Sequence, residues 1–216
     1  MHLECHAALG WIIANAGANS GSGDRRLRNY TVISAILPDI DALPYLFGPY
    51  YYGLYHHTFG HNIFLWLLWS AWGVKRFRSW RAGLLGFIAF GSHLLTDAFL
   101  SNWFLYLFWP FSRKGFLPAN SLELSSPVNI WLLYSTPLWL IIAALIWKRT
   151  PLEWISPKLD HLFISFFRRK NARCYVCERG ANLECQSCSR PICPRHLQVI
   201  SKWETRCPNC RREKLA

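Results

Sequence analysis

The chain has 216 residues, enough for one domain and a small appendage. It is 52% hydrophobic and 16% aromatic, with twelve Trp, a single Met and a net charge of +12, a balance that excludes an ordinary soluble protein. Charge and cysteine are both segregated: from Arg168 onward twelve Lys or Arg face four Glu, and seven of the eight Cys fall between 174 and 210, so an apolar body, 1 to about 167, precedes a basic, Cys-rich tail.

The N-terminus, MHLECHAALGWII, lacks the basic start of a signal peptide and carries Glu4, His2 and His6 instead, so it is expected to be retained. Residues 5–19 are apolar and small and run into the turn SGSGD. Residues 30–48 form a second apolar stretch that contains LPDID at 37–41. The third, HNIFLWLLWSAWGV at 61–74, is preceded by charge-free sequence back to Pro49. A fourth, 82–111, is interrupted by His93 and Asp97, and the fifth, 124–147, is a charge-free run long enough to span a bilayer. That run ends in Trp147, Lys148 and Arg149, an interfacial aromatic followed by cations.

The basic loops DRRLR (24–28) and KRFRSWR (75–81) and the tail from Lys148 belong in the cytoplasm by the positive-inside rule, with Arg113 and Lys114 as the exception. The expected fold is therefore an all-α membrane domain of about five crossings over 1–150, N-terminus outside and C-terminus inside. An amphipathic, basic linker over 151–170 and a small zinc domain over 171–212 complete the chain. In this arrangement His6, Asp39, Asp41, His56, His57, His61, His93 and Asp97 all approach the outer membrane face.

Charged side chains in a membrane domain are costly when unpaired, so two aspartates near three histidines call for a compensating cation. HLLTD at 93–97 puts His93 and Asp97 at i, i+4 on one helix face. HHTFGH places His56 and His61 across Gly60, which permits a turn. The mixture of carboxylate and imidazole suits one or more Zn²⁺ or Mn²⁺ ions, and a bound divalent ion activates water and polarises an ester or phosphoryl oxygen. Each fragment also has a plainer reading: a hydrogen-bonded His/Asp pair, a Pro-Asp turn, interfacial histidines. His2 and His161 read as interfacial. His57 reads as a ligand or a neighbour, and Glu123 as a late ligand or a loop charge.

The order HAALG (6–10), LPDID (37–41), HHTFGH (56–61), HLLTDAF (93–99) and WPFS (109–112) resembles the YdjM-like family, described as LexA-regulated, membrane-bound, metal-dependent hydrolases of bacterial inner membranes. The likeness covers roughly residues 1–125. The family usually has His-Arg and His-Ser where this chain has His56-His57 and His61-Asn62, so the Arg and its anion contact are missing. The spacing is more distantly similar to zinc-dependent phospholipase C and related single-strand nucleases, which implies phosphoester hydrolysis. Carried over by position, the resemblance implies His6, Asp39, Asp41, His56, His61, His93 and Asp97 as metal ligands.

In the tail, Cys174/Cys177, Cys185/Cys188, Cys193/His196 and Cys207/Cys210 form four knuckle pairs, eight ligands for two structural Zn²⁺ ions. The pattern resembles RING and B-box cross-brace modules, in which the first and third pairs share one ion and the second and fourth the other. Sequential pairing is the alternative. The basic surface, with RRK at 168–170 just past FISFF, fits anionic lipid or a protein partner. Nucleic acid is disfavoured, since Tyr175 and Trp203 alone could stack on bases.

The leading expectation is a membrane-bound, metal-dependent hydrolase of a lipid or lipid-linked phosphate ester, with Asp39 or Asp41 as general base. Its rivals are a non-enzymatic membrane adaptor whose zinc tail recruits a partner and, more weakly, a transporter.

Overall fold

Residues Trp80–Leu100 form a 21-residue helix whose buried side chains, Ala82, Leu85, Ala89, Phe90, His93, Leu94 and Asp97, recur every three to four positions. One stripe of the helix therefore faces the protein and carries both polar residues inward. This helix organises the computed structural model, which describes residues 1–17, 25–147, 149–154, 156, 159–160, 162–164, 174–177, 181, 183–188, 190–201 and 204–212. The turn at 20–24, Lys148, His161, the basic run 168–170 and Trp203 lie outside the described residues.

The helices are α1 (Leu3–Gly17), α2 (Arg25–Ile36), α3 (Pro49–Tyr55), α4 (Ile63–Phe77), α5 (Trp80–Leu100), α6 (Pro127–Trp147) and α7 (Pro208–Arg212), with 3₁₀ segments at Leu37–Phe47 and Pro151–Trp154. The strands are β1 (Leu183–Glu184), β2 (Pro191–Ile192), β3 (Gln198–Ser201) and β4 (Glu204–Arg206). The chain divides into two compact units, Met1–Ala18 with Arg26–Pro137, and Asn19–Arg25 with Leu138–Ala216. The first holds the His and Asp residues singled out above; the second holds the tail cysteines.

In the first unit α4 and α5 form an antiparallel hairpin. Asn62 caps α4 by accepting from the Leu65 amide at 2.8 Å, and the helix stops at Arg78, whose φ of 49° is left-handed. Tyr30 of α2 reaches into this hairpin and donates its hydroxyl to the Trp69 carbonyl at 3.0 Å. Gly73 and Gly86 make the room, since a Cβ on either would overlap the Tyr30 ring end.

The LPDID stretch leaves the α-helical path for physical reasons. Pro38 fixes the start of the turn and Pro44 lies inside it, where an α-helix would lose a hydrogen bond and clash with the preceding turn. The 11-residue 3₁₀ segment is long for its kind. With three residues per turn, positions two apart point about 120° away from each other, so Asp39 and Asp41 cannot share a face.

Among the described residues two helices, α5 and α6, are long and apolar enough to cross a membrane. At 21 residues each measures about 31 Å, the thickness of the hydrocarbon core. The first half of α6 exposes Val128, Ile130, Trp131 and Tyr134, a lipid-facing composition. The expected count of five crossings is not supported. The described part of 5–19 lies in a helix of 15 residues, 63–74 lies in another of 15, and 30–48 divides between the 12-residue α2 and the 3₁₀ segment. Pro38 and Pro44 end the helical path of 30–48, and the Asn62 cap and left-handed Arg78 bound α4.

In the second unit the tail makes two small antiparallel sheets, β1–β2 paired Leu183 to Ile192, and β3–β4 paired Gln198 to Arg206. Ile192 is fully buried among Cys174, Cys185, Cys193, Cys207 and Cys210. So small a hydrophobic core calls for a further staple.

Candidate metal centre

Four elements converge on one point of the first unit. The α5 helix brings His93 and Asp97, the 3₁₀ segment brings Asp39 and Asp41, the 56–62 turn brings His56, His57 and His61, and α1 brings His6. His6, Asp41, His57, His61, His93 and Asp97 are all buried. Gly60 is what allows the turn to lie against LPDID: a Cβ there would overlap the Pro38 carbonyl oxygen.

The hydrogen bonds fix the tautomers. His93 donates Nδ1–H to the Ala35 carbonyl at 2.6 Å, and His61 donates Nδ1–H to Asp41 Oδ2 at 2.9 Å. With Nδ1 so engaged, the two Nε2 atoms face each other at 3.0 Å, and each offers a lone pair once its proton is displaced. Asp97 Oδ2 lies 3.2 Å from each. Asp39 Oδ1 stands 3.7 Å from His93 Nε2 and 4.0 Å from His61 Nε2. Two imidazole nitrogens and two carboxylates turned toward one point need a proton or a metal cation between them. Ligand atoms held about 2.0–2.1 Å from one tetrahedral ion stand about 3.3 Å apart, so the donor set and its spacing fit a divalent metal. Asp39, His61, His93 and Asp97 form one group able to hold an ion, and His56, His57 and His61 form a second beside it.

Asp41 is enclosed by hydrogen-bond donors. It is fully buried and accepts four hydrogen bonds: from His56 Nδ1 at 2.8 Å, His61 Nδ1 at 2.9 Å, and the Thr58 and Gly60 amides at 3.1 Å each. It belongs to neither ion-holding group and stands behind the histidines, where it orients their rings. His6 is likewise outside both groups. It contacts Asp97 Oδ1 at 3.0 Å and stacks on His93 with ring centroids 3.7 Å apart. The Met1 ammonium also reaches Asp97 Oδ1. His57 joins the site with Nε2 at 3.4 Å from Asp97 and a φ of 66°, a left-handed conformation uncommon for His. Glu123 does not join it; the residue is exposed on the loop before α6.

A cavity of about 470 Å³ adjoins the cluster, lined by Asp39, His56, His57 and Asp97 together with Leu43, Leu46 and Leu124. His2, expected at an interface, lines it too. Sequence reasoning missed Tyr52, which stacks on His56 at 4.5 Å, and Trp103, whose ring stands 5.5 Å from both His56 and His57. The charge-free setting of Tyr52 was the sole hint of either. His93 and Asp97 lie seven and three residues from the end of α5, so the centre sits about 5–10 Å inside one end of that helix.

In the second unit the cysteines gather in alternating order: Cys174, Cys177, Cys193 and His196 in one group, Cys185, Cys188, Cys207 and Cys210 in the other. Cys177 and Cys193 sulfurs lie 3.7 Å apart and Cys188 and Cys207 sulfurs 3.8 Å. Two thiolates on one tetrahedral zinc at 2.3 Å stand about 3.8 Å apart, so these groups fit metal as well. Both pairings follow the cross-brace order.

Fold and site together define a helical membrane protein with a buried His/Asp centre under a cavity and two cysteine groups in its tail. The sequence model of the YdjM inner membrane protein family matches residues 1–170, and the chain belongs to that family of inner membrane proteins. No curated protein and no solved structure gives a match.

Proposed function

We propose that the protein is a membrane-bound, metal-dependent hydrolase of a lipid or lipid-linked phosphate ester. The observation that carries the reading is the meeting of two imidazole nitrogens, of His61 and His93, with two carboxylates, Asp39 and Asp97, that line the 470 Å³ cavity. Asp39, His61, His93 and Asp97 would hold a Zn²⁺ or Mn²⁺ ion, with His56 and His57 available to a second. A divalent ion there supplies Lewis acidity toward a phosphoryl oxygen and activates water.

The chain's own residues divide the remaining work. Asp41 and the Ala35 carbonyl hold His61 and His93 in the tautomer that points Nε2 inward. Asp39 is about 20% exposed at the cavity wall, whereas Asp41 is sealed by its four donors. Asp39, with Oδ1 toward the imidazoles, is therefore the carboxylate whose second oxygen would take a proton from water. Tyr52 and Trp103 pack against the His56 and His57 rings at the cavity wall. Exposed apolar residues beside the cavity, Leu46, Phe47 and Tyr50 among them, suit a site that opens at the outer leaflet. In this topology the chain crosses the membrane more than once. The tail lies in the cytoplasm with two structural zinc ions, where its basic surface meets anionic lipid or a protein partner.

The test is release of inorganic phosphate from dioleoyl phosphatidic acid by purified protein in liposomes, with added Zn²⁺ or Mn²⁺. Release should require the metal and fall by at least ~10²-fold in Asp39→Ala, the usual scale of a general base. Release that persists in a chelator, or in Asp97→Ala, would refute the reading.

A further inference from the structure

A second groove, of about 580 Å³, runs beside the metal cavity and shares four lining residues with it, His2, Ser101, Trp103 and Leu124. Its far wall is Ile130, Leu133 and Tyr134 of α6. These stand at i, i+3 and i+4, so they line one face of the helix. They lie three to seven residues past the start of α6 at Pro127. The groove therefore descends about 5–10 Å along the helix from the level of its first residue toward the hydrocarbon.

Resting on the phosphoesterase reading above, we infer that this groove holds the hydrocarbon chain of the substrate, so that the enzyme acts on single phosphate-headed lipids drawn sideways from the leaflet. Three observations fix the occupant and its direction. The shared residues put the two spaces side by side. The polar residues Ser101, Asn102, Glu123 and Ser125 of the groove lie on the segment between α5 and α6, while Ile130, Leu133 and Tyr134 of α6 provide its helical wall. Glu123 repels an anionic head there, which leaves the histidine-lined cavity as the place for the phosphate and the groove as the place for the chain. Each space falls within the ~300–1,000 Å³ range of small-molecule sites. A head-and-tail ligand fills both.

The experiment uses full-length protein in detergent with dioleoyl phosphatidic acid carrying a diazirine midway along one acyl chain. After irradiation and digestion, adducts should concentrate on residues 124–134. The double variant Ile130→Trp/Leu133→Trp fills the groove and should lower that labelling about tenfold, the scale of losing contact with two methylenes. Val128→Trp sits about 200° around the helix from Ile130 at similar depth, and should leave the labelling pattern as it was. Circular dichroism checks that each variant is folded. Labels spread evenly over the lipid-facing side of α6, or unchanged in the double variant, would overturn the groove. So would a dimer whose partner covers the groove and whose association the double variant disrupts. Labelling reads binding without turnover, so labelled residues 124–134 without phosphate release would support the groove and count against the reaction alone.

Discussion

Replacing Asp41 by Asn separates a carboxylate that holds histidines from one that binds metal. Asp41 accepts four hydrogen bonds at zero exposure. Alanine is the wrong probe: it would orphan four donors, each costing ~1–3 kcal/mol when buried, a loss on the scale of a whole protein's stability. Asparagine is isosteric. Its carbonyl oxygen can replace Oδ2 and keep the Thr58 and Gly60 amides and His61 Nδ1, while its amide group meets His56 and reverses that ring's hydrogen-bond role. His61 keeps its tautomer but loses the negative charge that strengthens its Nε2. Loss of such a supporting partner lowers metal affinity by ~10–100-fold, or ~1.4–2.8 kcal/mol. The assay is Zn²⁺ competition against a chelator of known affinity in full-length protein, with circular dichroism to show retained helix. An unchanged affinity would refute the orienting role. Complete loss of metal from the centre, matching Asp97→Ala, would make Asp41 a ligand.

Gly60→Ala should cost ~1–3 kcal/mol in thermal unfolding, because its Cβ meets the rigid Pro38 carbonyl and the turn must move off LPDID. A melting temperature equal to wild type would show that the turn has room. Asn62→Ala removes the cap of α4 and should lower stability by ~1 kcal/mol; a denaturant midpoint unchanged with equal slope would contradict this. In the tail, Cys174→Ser with Cys193→Ser alters two ligands of one group, so native mass spectrometry should show one zinc lost per chain. Loss of two would return the sequential pairing.

The residues that meet in the candidate centre were legible in the sequence because lipid-facing chain has little use for carboxylates and imidazoles; LPDID, HHTFGH and HLLTD stand out against apolar surroundings for that reason. His93 and Asp97 were placed on one face by helical spacing alone. The separate roles of Asp39 and Asp41 were not legible, since they follow from a 3₁₀ path that turns residues two apart to different sides. The Ala35 carbonyl and Trp103 carry no motif, and only tertiary packing brings them to the histidines. The number of crossings was over-read because apolar composition was taken as length: the runs around Pro38, Pro44 and His61 are apolar enough for lipid but broken into elements too short to cross it. The tail's pairs were legible from spacing, and their alternating grouping follows from the two small hairpins.

The most direct test of the central claim is zinc content per chain, by elemental analysis, in full-length protein and in His61→Ala/His93→Ala. The account expects more than two equivalents in the first, two held by the cysteine groups and at least one by the His/Asp centre, and two in the folded double variant. Two equivalents in both proteins, with no added ion taken up by either, would contradict a metal centre in the membrane domain.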